Sequence, residues 1–585
     1  MIAIVMTTVD KRGVNVLEQL RDSMMVWRRW IALLCVVTLV AVACGDGNGD
    51  DGSGDTAGTT IISERSSDDR DVISTDATPA VEDTPVPLTP QYGGTLVVGL
   101  EAETTNGLNP VNAQAAVSGH IVFRALYDTL TIEGTDGEIL PNLLESFSSN
   151  EDFSEWLFTL PPGIRFHDDT PADATALKRH FEENAKGILT GIVVDDWEVE
   201  DIQIVDDLTM KLVLKDSFAS LPYLLSSHHG YFGAPSMHDL GQQGAARNPI
   251  GTGPFMLDEW IPNEVTRVVR NPNYWRTDAE GRSLPYLDAI EFRPISDSDG
   301  RFNGLRSGDL DAVSANTGLR VEEYNEQFKT LWQDEVYKET TFLLLNNSRP
   351  PFDNVEFRRA LAQCLDVLTF NNVRWDGQAP ASGPFSPGTP GYLTDSGYPT
   401  YDPAVGSATI ARLGIPEVEI GATRDLANLL NAELLAAMWG DCGLNVSITP
   451  VDQAELITNA VLGNFTAFIW RQHEAFNLGV ERVWWHSKFG HGLALNFGRI
   501  NNPAIDAALD EAVTTDDLER LRELAEDINR AFADQVHHLW FFHSNWLFAT
   551  DHNVHGVDNL TLRGGHEHEK VFSGRVFLTE AWIEQ

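Results

Sequence analysis

The stretch that decides the fold is residues 248–275, NPIGTGPFMLDEWIPNEVTRVVRNPNYW. Gly251, Gly253 and Pro254 predict a tight turn, because glycine lacks a Cβ and proline has a fixed φ. The apolar residues that follow form two short runs, separated by the turn dipeptide Pro-Asn at 262–263. The residues alone therefore predict a β-hairpin that begins at a rigid turn and ends in two aromatic residues.

Length and composition are those of a globular protein with more than one domain. With 585 residues the chain is too long for one hydrophobic core, so we expect two or three domains. Its hydrophobic content of 42%, with 15 Trp and 28 Phe, is that of a folded protein rather than a disordered one. The formal net charge of −45 argues against nucleic acid as a partner and favours a solvated acidic surface.

The N-terminus has the pattern of a secretory signal. Arg28 and Arg29 precede an apolar run at 30–43, which is of signal-peptide length and ends at Cys44. The Ala-Val-Ala-Cys sequence resembles a bacterial lipobox, which implies that Cys44 is lipidated and holds the protein at the outer face of the cell membrane. An ordinary secretory signal without lipid is the alternative. Residues 1–23 resemble no targeting segment, so we expect translation to begin at the methionines that follow.

The rest of the chain divides into a polar segment and a long folded region. Residues 45–91 are rich in Gly, Asp, Ser, Thr and Pro, which predicts a disordered acidic linker. Beyond it, a buried strand is predicted at 93–100, and an amphipathic helix at 518–532. Thr423 is predicted to cap a helix that runs to Met438. Strands that alternate with helices predict α/β lobes.

Several motifs occur in the fixed order of one known family. GGTL at 93–96, LYDTL at 126–130, the WLFTL to FHDDTP stretch at 156–171, GDLD at 308–311 and FRRALA at 357–362 each resemble a block of that family. With the GTGPF to NPNYW stretch, they make the chain resemble the extracellular solute-binding proteins, family 5. These are the dipeptide, oligopeptide and nickel receptors of ABC importers.

The resemblance implies a fold and a division of the chain. The fold is α/β, of the periplasmic-binding-protein type II, with two lobes that close over a ligand by a hinge and an extra domain inserted in the N-terminal lobe. The implied segments are a signal peptide with lipobox (1–44), the linker (45–91), the first segment of lobe I (92–130), the inserted domain (131–247), the second segment of lobe I (248–338), lobe II (339–540) and a C-terminal return to lobe I (541–585). One departure is Asp169, which stands where the family has glycine.

The implied function is that of a receptor, without chemistry. The chain would capture an oligopeptide or peptide-like solute and deliver it to an ABC permease with its ATPase, as a monomer and with no cofactor. No GxSxG, Walker loop or complete HExxH motif occurs, so we expect neither an enzyme nor a metal site. The near match at 566–570 has Lys570 where the second histidine is needed. A secreted hydrolase and a sensor that no longer serves a transporter are the alternatives from other classes.

The segment 465–486 is the part of the sequence that bears most on the identity of the ligand. In peptide receptors of the family this place resembles a W…DYPDP motif, whose aspartate pairs with the α-ammonium of the peptide. Here Arg471, His473, Glu474 and Asn477 stand instead. Glu474 retains a carboxylate for an ammonium, whereas the forked donors of Arg471 favour a carboxylate or hydroxylated ligand.

Aromatic residues of the same segment favour a second kind of ligand. Trp470, Trp484 and Trp485 offer flat walls for a sugar ring or an aromatic side chain, and for Trp484 and Trp485 the alternative is a place in the core. An oligosaccharide or other polar metabolite is therefore the alternative ligand. Further contact candidates are Asn346 near the hinge, His229 and Tyr231 in the inserted domain, and the loop at 101–108.

Two cysteines remain once the signal and the lipid site are set aside. Cys364 and Cys442 each lie on or beside a predicted helix of the C-terminal lobe. Outside the cell membrane a disulfide can persist, so the two residues form either one bridge or two buried thiols. The sequence leaves both open.

Overall fold

The computed structural model describes residues 88–585 apart from short gaps. The gaps are 105, 114, 136, 317–319, 334–335, 376, 416 and 473–474. The predicted signal peptide with Cys44 and nearly all of the predicted linker lie outside the described residues, as do His473 and Glu474. Within the described region of the chain, no helix is long and apolar enough to cross a membrane.

The N-terminal half of the fold contains lobe I and the inserted domain. Lobe I begins with β1 (Thr95–Leu100) and α1 (Val117–Leu126). The inserted domain contributes β2 (Thr131–Glu133), β3 (Ile139–Pro141), β4 (Ser146–Ser149), β5 (Glu155–Thr159), α2 (Ala174–Asn184), α3 (Thr190–Asp196), β6 (Val199–Ile204), β7 (Thr209–Leu214), α4 (Leu221–Leu224), α5 (Pro235–Asp239) and α6 (Gly241–Arg247). Lobe I continues with β8 (Phe255–Ile261), β9 (Val265–Arg270), β10 (Ala289–Pro294), α7 (Ser298–Ser307), β11 (Ala312–Asn316), α8 (Val321–Gln327) and β12 (Lys329–Trp332).

The C-terminal half contains lobe II and the return to lobe I. Lobe II consists of β13 (Thr340–Leu345), α9 (Val355–Gln363), α10 (Val367–Arg374), α11 (Pro403–Leu413), β14 (Glu417–Thr423), α12 (Leu426–Asp441), β15 (Asn445–Val451), α13 (Gln453–Leu462), β16 (Ala467–Gln472), α14 (Leu478–Trp485), α15 (Pro503–Ala512), α16 (Leu518–Gln535) and β17 (His538–His543). The return adds β18 (Trp546–Thr550), β19 (Val554–His555) and β20 (Trp582–Ile583).

Each lobe is built on its own sheet. The lobe I sheet has seven strands in the order β12-β18-β11-β1-β10-β9-β8, with β1 parallel to both β10 and β11. The lobe II sheet has five strands in the order β15-β14-β16-β13-β17. The inserted domain has an antiparallel sheet, β4-β5-β7-β6, of its own. The predicted arrangement of two α/β lobes with an extra domain is therefore confirmed.

Among the residues that the structure describes, the chain crosses between the lobes at two adjacent places. The first crossing is 333–339, between β12 and β13, and the second is 544–545, between β17 and β18. Hydrogen bonds join them, because the Ser544 N–H donates to the Glu339 carbonyl at 2.7 Å and the Thr341 and Ser544 hydroxyls lie 2.8 Å apart. The predicted boundary at 540/541 falls inside β17.

The predicted hairpin is present, and the tight turn before it joins two domains. β8 and β9 pair in an antiparallel register that runs from Phe255–Arg270 to Ile261–Val265. The glycines are required by close approach: a Cβ on Gly251 would lie 2.2 Å from the Leu126 carbonyl oxygen, and one on Gly253 would lie 2.4 Å from the Leu126 carbonyl carbon. The turn therefore packs directly against the end of α1.

His167 of the inserted domain holds that turn in place through hydrogen bonds. The His167 backbone N–H donates to the Gly251 carbonyl at 2.9 Å, its Nδ1 accepts from the Gly251 N–H at 3.2 Å, and its Nε2 lies 3.0 Å from the Gly253 carbonyl oxygen. Burial lowers the pKa of His167 to about 4, so the ring is neutral at pH 7 and keeps both roles. The FHDDTP and GTGP motifs are thus two halves of one joint between the inserted domain and lobe I.

The aromatic end of the same stretch has a structural role as well. The buried carboxylate of Asp128, from the LYDTL motif, accepts hydrogen bonds from the Tyr274 hydroxyl and the Trp275 Nε1–H, both at 2.9 Å. The Asn271 amide donates to the Gly253 carbonyl at 3.0 Å. The LYDTL and NPNYW motifs therefore depend on each other, because the polar groups that one motif buries are hydrogen-bonded by the other.

Local details refine the other predictions. Asp169 has a φ of 65°, the left-handed conformation that glycine adopts most easily, which accounts for the usual glycine at this position. The helix predicted from Thr423 to Met438 is α12, and its cap is Asp425, whose carboxylate accepts from the Asn428 N–H, because Thr423 is still the last residue of β14.

The two cysteines of lobe II form a disulfide. Cys364 follows α9 and Cys442 follows α12, with their Cα atoms 6.3 Å apart and a separation of 78 residues in sequence. The bridge settles the alternative that the sequence leaves open. It links the first helix of lobe II to the helix that precedes β15.

Candidate functional site

Arg471, near the end of β16, connects the two lobes through its side chain. Its guanidinium lies 2.8 Å from the carboxylate of Glu101, which follows β1 of lobe I, and 2.9 Å from that of Glu339 in the first crossing. It also lies over the ring of Trp546, 4.7 Å from the centroid. Trp546 Nε1 donates in turn to Glu339 at 2.9 Å, so the four side chains form one network between the lobes.

The electrostatics keep Glu101 and Arg471 of this network charged at neutral pH. Burial alone would raise the pKa of Glu101, but Arg471 and then Arg301 outweigh it, so the pKa lies below its usual value. Burial likewise acts to lower the pKa of Arg471, and the two carboxylates raise it instead. An ion pair between Glu101 and Arg471 therefore holds the end of the lobe I strand against the end of the lobe II strand.

An aromatic group lies beside the network. Phe476 of lobe II packs against Tyr337 of the first crossing, with ring centroids 4.8 Å apart, and against Phe572 of the C-terminal return at 5.0 Å. Tyr223, from α4 of the inserted domain, lies 5.6 Å from the same ring. Phe476 follows Arg471 closely in sequence, so one short segment of lobe II contacts lobe I, the inserted domain and a crossing.

The predicted tryptophans divide into two kinds. Trp470 and Trp484 are partly buried, and both pack against Phe497, at centroid distances of 5.2 and 5.4 Å. Trp485 is 2% exposed and packs edge-on against Phe532, which makes it a core residue. The structure therefore resolves the two interpretations of Trp485 in favour of the core.

Asn346 has hydrogen bonds that hold its own lobe together. Its amide nitrogen donates to the Gly463 and Phe465 carbonyls, at 3.3 and 3.0 Å, and its oxygen accepts from the hydroxyl of Ser348 at 2.7 Å. The residue is 1% exposed. These contacts assign Asn346 to the internal structure of lobe II, and we leave it out of the site.

The two candidates of the inserted domain are both buried, and Tyr231 lies against α1 of lobe I. The His229 carbonyl accepts a hydrogen bond from His180 Nε2 at 2.7 Å, and burial lowers the pKa of the His229 ring to about 3. The Tyr231 hydroxyl lies 2.9 Å from His120 Nδ1, and burial raises the pKa of Tyr231 to about 12. Neither residue belongs to the network around Arg471.

The structure adds residues that no motif indicates. Glu339, Trp546, Phe476 and Tyr337 come together only because both crossings and the end of β16 meet in space. Of the contact candidates predicted outside lobe II, the loop at 101–108 is the one that reaches Arg471, through Glu101. Among the described residues, no group of three or more His, Cys, Asp or Glu side chains is placed to hold a metal ion.

Comparison with known proteins identifies the family. Residues 138–488 match the model of the bacterial extracellular solute-binding proteins, family 5 Middle. The nickel-binding periplasmic protein of Escherichia coli (strain K12) is 25% identical over 453 residues, which cover 71% of this chain and 83% of that protein. The probable D,D-dipeptide-binding periplasmic protein DdpA of the same organism is 24% identical over 450 residues, covering 74% and 85%.

Solved structures agree on the fold. AgaA from A. tumefacien R10, a periplasmic binding protein in complex with agropinic acid, superposes with a TM-score of 0.72 at 22% identity, covering 84% of this chain and 99% of its own. The periplasmic binding protein DppA from Helicobacter pylori, in complex with the peptide STSA, gives 0.72 at 19% identity, covering 85% and 99%. The predicted type II periplasmic-binding-protein fold is confirmed. Because the family model spans more than half of the chain, the protein belongs to the bacterial extracellular solute-binding proteins, family 5.

Proposed function

We propose that the protein is the extracytoplasmic receptor of an ABC importer and captures an oligopeptide or peptide-like solute between its lobes. The observation that carries this proposal is the contact of Arg471 with Glu101, which joins the lobes across the cleft beside the two crossings. Two adjacent crossings allow the lobes to rotate as rigid bodies, and an ion pair between the lobes favours the closed arrangement. Closure would trap the solute, and no covalent step is needed.

The partners follow from the same proposal. The closed, loaded receptor docks on a permease with its ATPase, and the protein acts as a monomer. Lipidation at Cys44 would tether it to the outer face of the membrane, so that the receptor stays near the permease. Ligand binding changes the conformation of the receptor, and the permease recognises the ligand-bound conformation.

The environment of Arg471 bears on the chemistry of the ligand. Its guanidinium already has two carboxylate partners, so a ligand carboxylate would have to displace Glu101. This favours recognition of an ammonium group by Glu474, two residues beyond β16, over recognition of a carboxylate by Arg471. The dipeptide and peptide named for the two proteins above, DdpA and DppA, support the same ligand class.

A second ligand class has its own support. Trp470 and Trp484 remain partly exposed beside Phe497, and partly exposed aromatic rings suit the stacking of a sugar ring. AgaA, whose fold this chain shares, holds agropinic acid rather than a peptide. An oligosaccharide or other polar metabolite is therefore the second candidate, in the same receptor role.

Identification of the solute that co-purifies tests the proposal. We would express the protein from Gly45, record native mass spectra and identify what is released on denaturation. A set of peptide masses, lost in Glu474→Gln but retained in Glu433→Gln on the exposed face of α12, is the expected result. Hexose-spaced masses that depend on Trp470 would overturn the peptide assignment and leave the receptor role intact.

A further inference from the structure

A second ionic contact joins the lobes, and it involves the inserted domain. Asp196 is the last residue of α3, and its carboxylate is 2% exposed. One oxygen accepts from Arg482 Nε at 2.8 Å, and the other lies 2.7 Å from Lys488 Nζ. Arg482 belongs to α14 of lobe II and Lys488 to the short helix after it, so both cations come from the opposite lobe.

The lobe II side of this contact is held in place without Asp196. Arg482 Nη1 also bonds Asp510 of α15, at 2.5 Å, and His486 Nε2 lies 3.2 Å from the same carboxylate. The Ser487 N–H and hydroxyl bond Asp506 of the same helix. The Arg482 guanidinium and the backbone next to Lys488 are therefore held by lobe II itself, so Asp196 meets a site that is largely preformed.

The inserted domain moves with lobe I, because its hydrogen bonds to lobe I lie on several elements. His167 binds the turn before β8, as described above. The Ala234 N–H donates to the Ile250 carbonyl at 2.8 Å, and Arg276 of lobe I donates to the Asn142 carbonyl at 3.3 Å. Rotation of lobe II away from lobe I would therefore break the contacts of Asp196 and leave these bonds intact.

The surroundings of the contact are those of a closing surface. The Ala219 N–H, before α4 of the inserted domain, donates to the Val513 carbonyl of lobe II at 2.6 Å. Gly479 at the start of α14 approaches so closely that a Cβ there would lie 2.2 Å from the Cβ of Ser220. The surfaces fit at backbone distance, which requires the two domains to meet in one orientation.

We infer that Asp196 is a positioning residue for lobe closure, and that the inserted domain is a component of the closing machinery rather than an appendage of lobe I. The carboxylate has both cations only when the lobes meet, and it becomes hydrated when they separate. Loss of a charge-assisted hydrogen bond of this kind shifts a two-state equilibrium by about tenfold. The inference rests on the closing step of the proposed function, not on the identity of the solute.

Small-angle X-ray scattering of the unliganded protein from Gly45 tests the inference. Asp196→Asn should raise the open-to-closed ratio about tenfold, seen as a larger radius of gyration, while the thermal midpoint stays close to that of the parent. Asp258→Asn is the matched control, because it removes an exposed ion pair with Arg267 inside lobe I. We expect that control to leave the radius of gyration unchanged.

A second variant decides the matter if Asp196→Asn does not fold. Lys488→Gln leaves Asp196 paired with Arg482 and changes a side chain that is 47% exposed, so the fold should tolerate it. A larger radius of gyration in Lys488→Gln supports the inference. An unchanged radius of gyration in every folded variant would overturn it. Because no solute is used, this result is independent of which ligand mass spectrometry identifies.

Discussion

Neutralisation of Glu101 should release the lobes from one another. In Glu101→Gln the ion pair with Arg471 is lost, although a neutral hydrogen bond to the guanidinium is retained. Arg471 keeps Glu339 at 2.9 Å, so the change does not leave a buried cation without a partner. That spares the larger cost of about 3–5 kcal/mol that follows when one member of a buried pair is removed.

The size of the effect follows from the kind of bond and its exposure. The two side chains are 22% and 28% exposed in the closed arrangement, so water screens the pair only partially. A hydrogen bond between charged groups contributes about 1.5–3 kcal/mol, of which the neutral bond in the variant retains a share. We therefore expect the closed state to lose about 1–2 kcal/mol, which is roughly a tenfold rise in the open population.

Single-molecule energy transfer measures that population directly. Dyes on cysteines introduced at the exposed positions Glu259, in the lobe I hairpin, and Glu433, in α12 of lobe II, report the separation of the lobes. The control is Glu103→Gln. Glu103 accepts a hydrogen bond from the Asn263 N–H at 3.0 Å, and all its hydrogen bonds to residues that the structure describes lie within lobe I. If Glu101→Gln and Glu103→Gln gave the same population, the ion pair would have no role in closure.

The pH dependence has a definite sign. The pKa of Glu101 in the closed state lies below its usual value of 4.5, so the contribution of the pair is complete above that value. It is lost as the pH falls through the lowered pKa. The wild-type protein should therefore open in acid, and Glu101→Gln should show a smaller change over the same range.

Two further predictions concern stability. Replacement of Cys364 and Cys442 by serine should lower the free energy of unfolding by about 4 kcal/mol, because the bridge closes a loop of 78 residues in the unfolded chain; urea denaturation measures this, and a loss below about 1 kcal/mol would contradict it. Burial lowers the pKa values of His229, His538 and His543 to about 3, so these rings stay neutral in the fold and protonate on unfolding below pH 6.5. The free energy of unfolding should therefore keep its full value above pH 6.5 and fall by about 1.4 kcal/mol for each histidine and each pH unit below 6.5. A urea midpoint that stays constant from pH 7 to pH 5 would show that the rings are not buried as neutral groups.

Features that depend on neighbours in sequence were predictable from the chain alone. The hairpin at 255–270 follows from the alternation of apolar residues around Pro-Asn, and the amphipathic helix α16 follows from a stripe of apolar residues. Motif order predicted the two lobes, the inserted domain and the family. The sequence also identified Asp169 as unusual, because the family has glycine at this position and a positive φ depends on the conformation of that residue alone.

Features that depend on partners far apart in sequence were decided by the tertiary structure. Arg471 has forked donors in any setting, but only the fold places residues 101 and 339 beside it and so turns a ligand contact candidate into a bond between lobes. The same holds for the pairing of the two cysteines and for the burial of Trp485. Asp196 and Arg482 lie 286 residues apart, and spacing in sequence contains no information about such a pair. The sequence determines the chemistry of each side chain, whereas the partners that the side chain contacts depend on which surfaces meet when the domains pack.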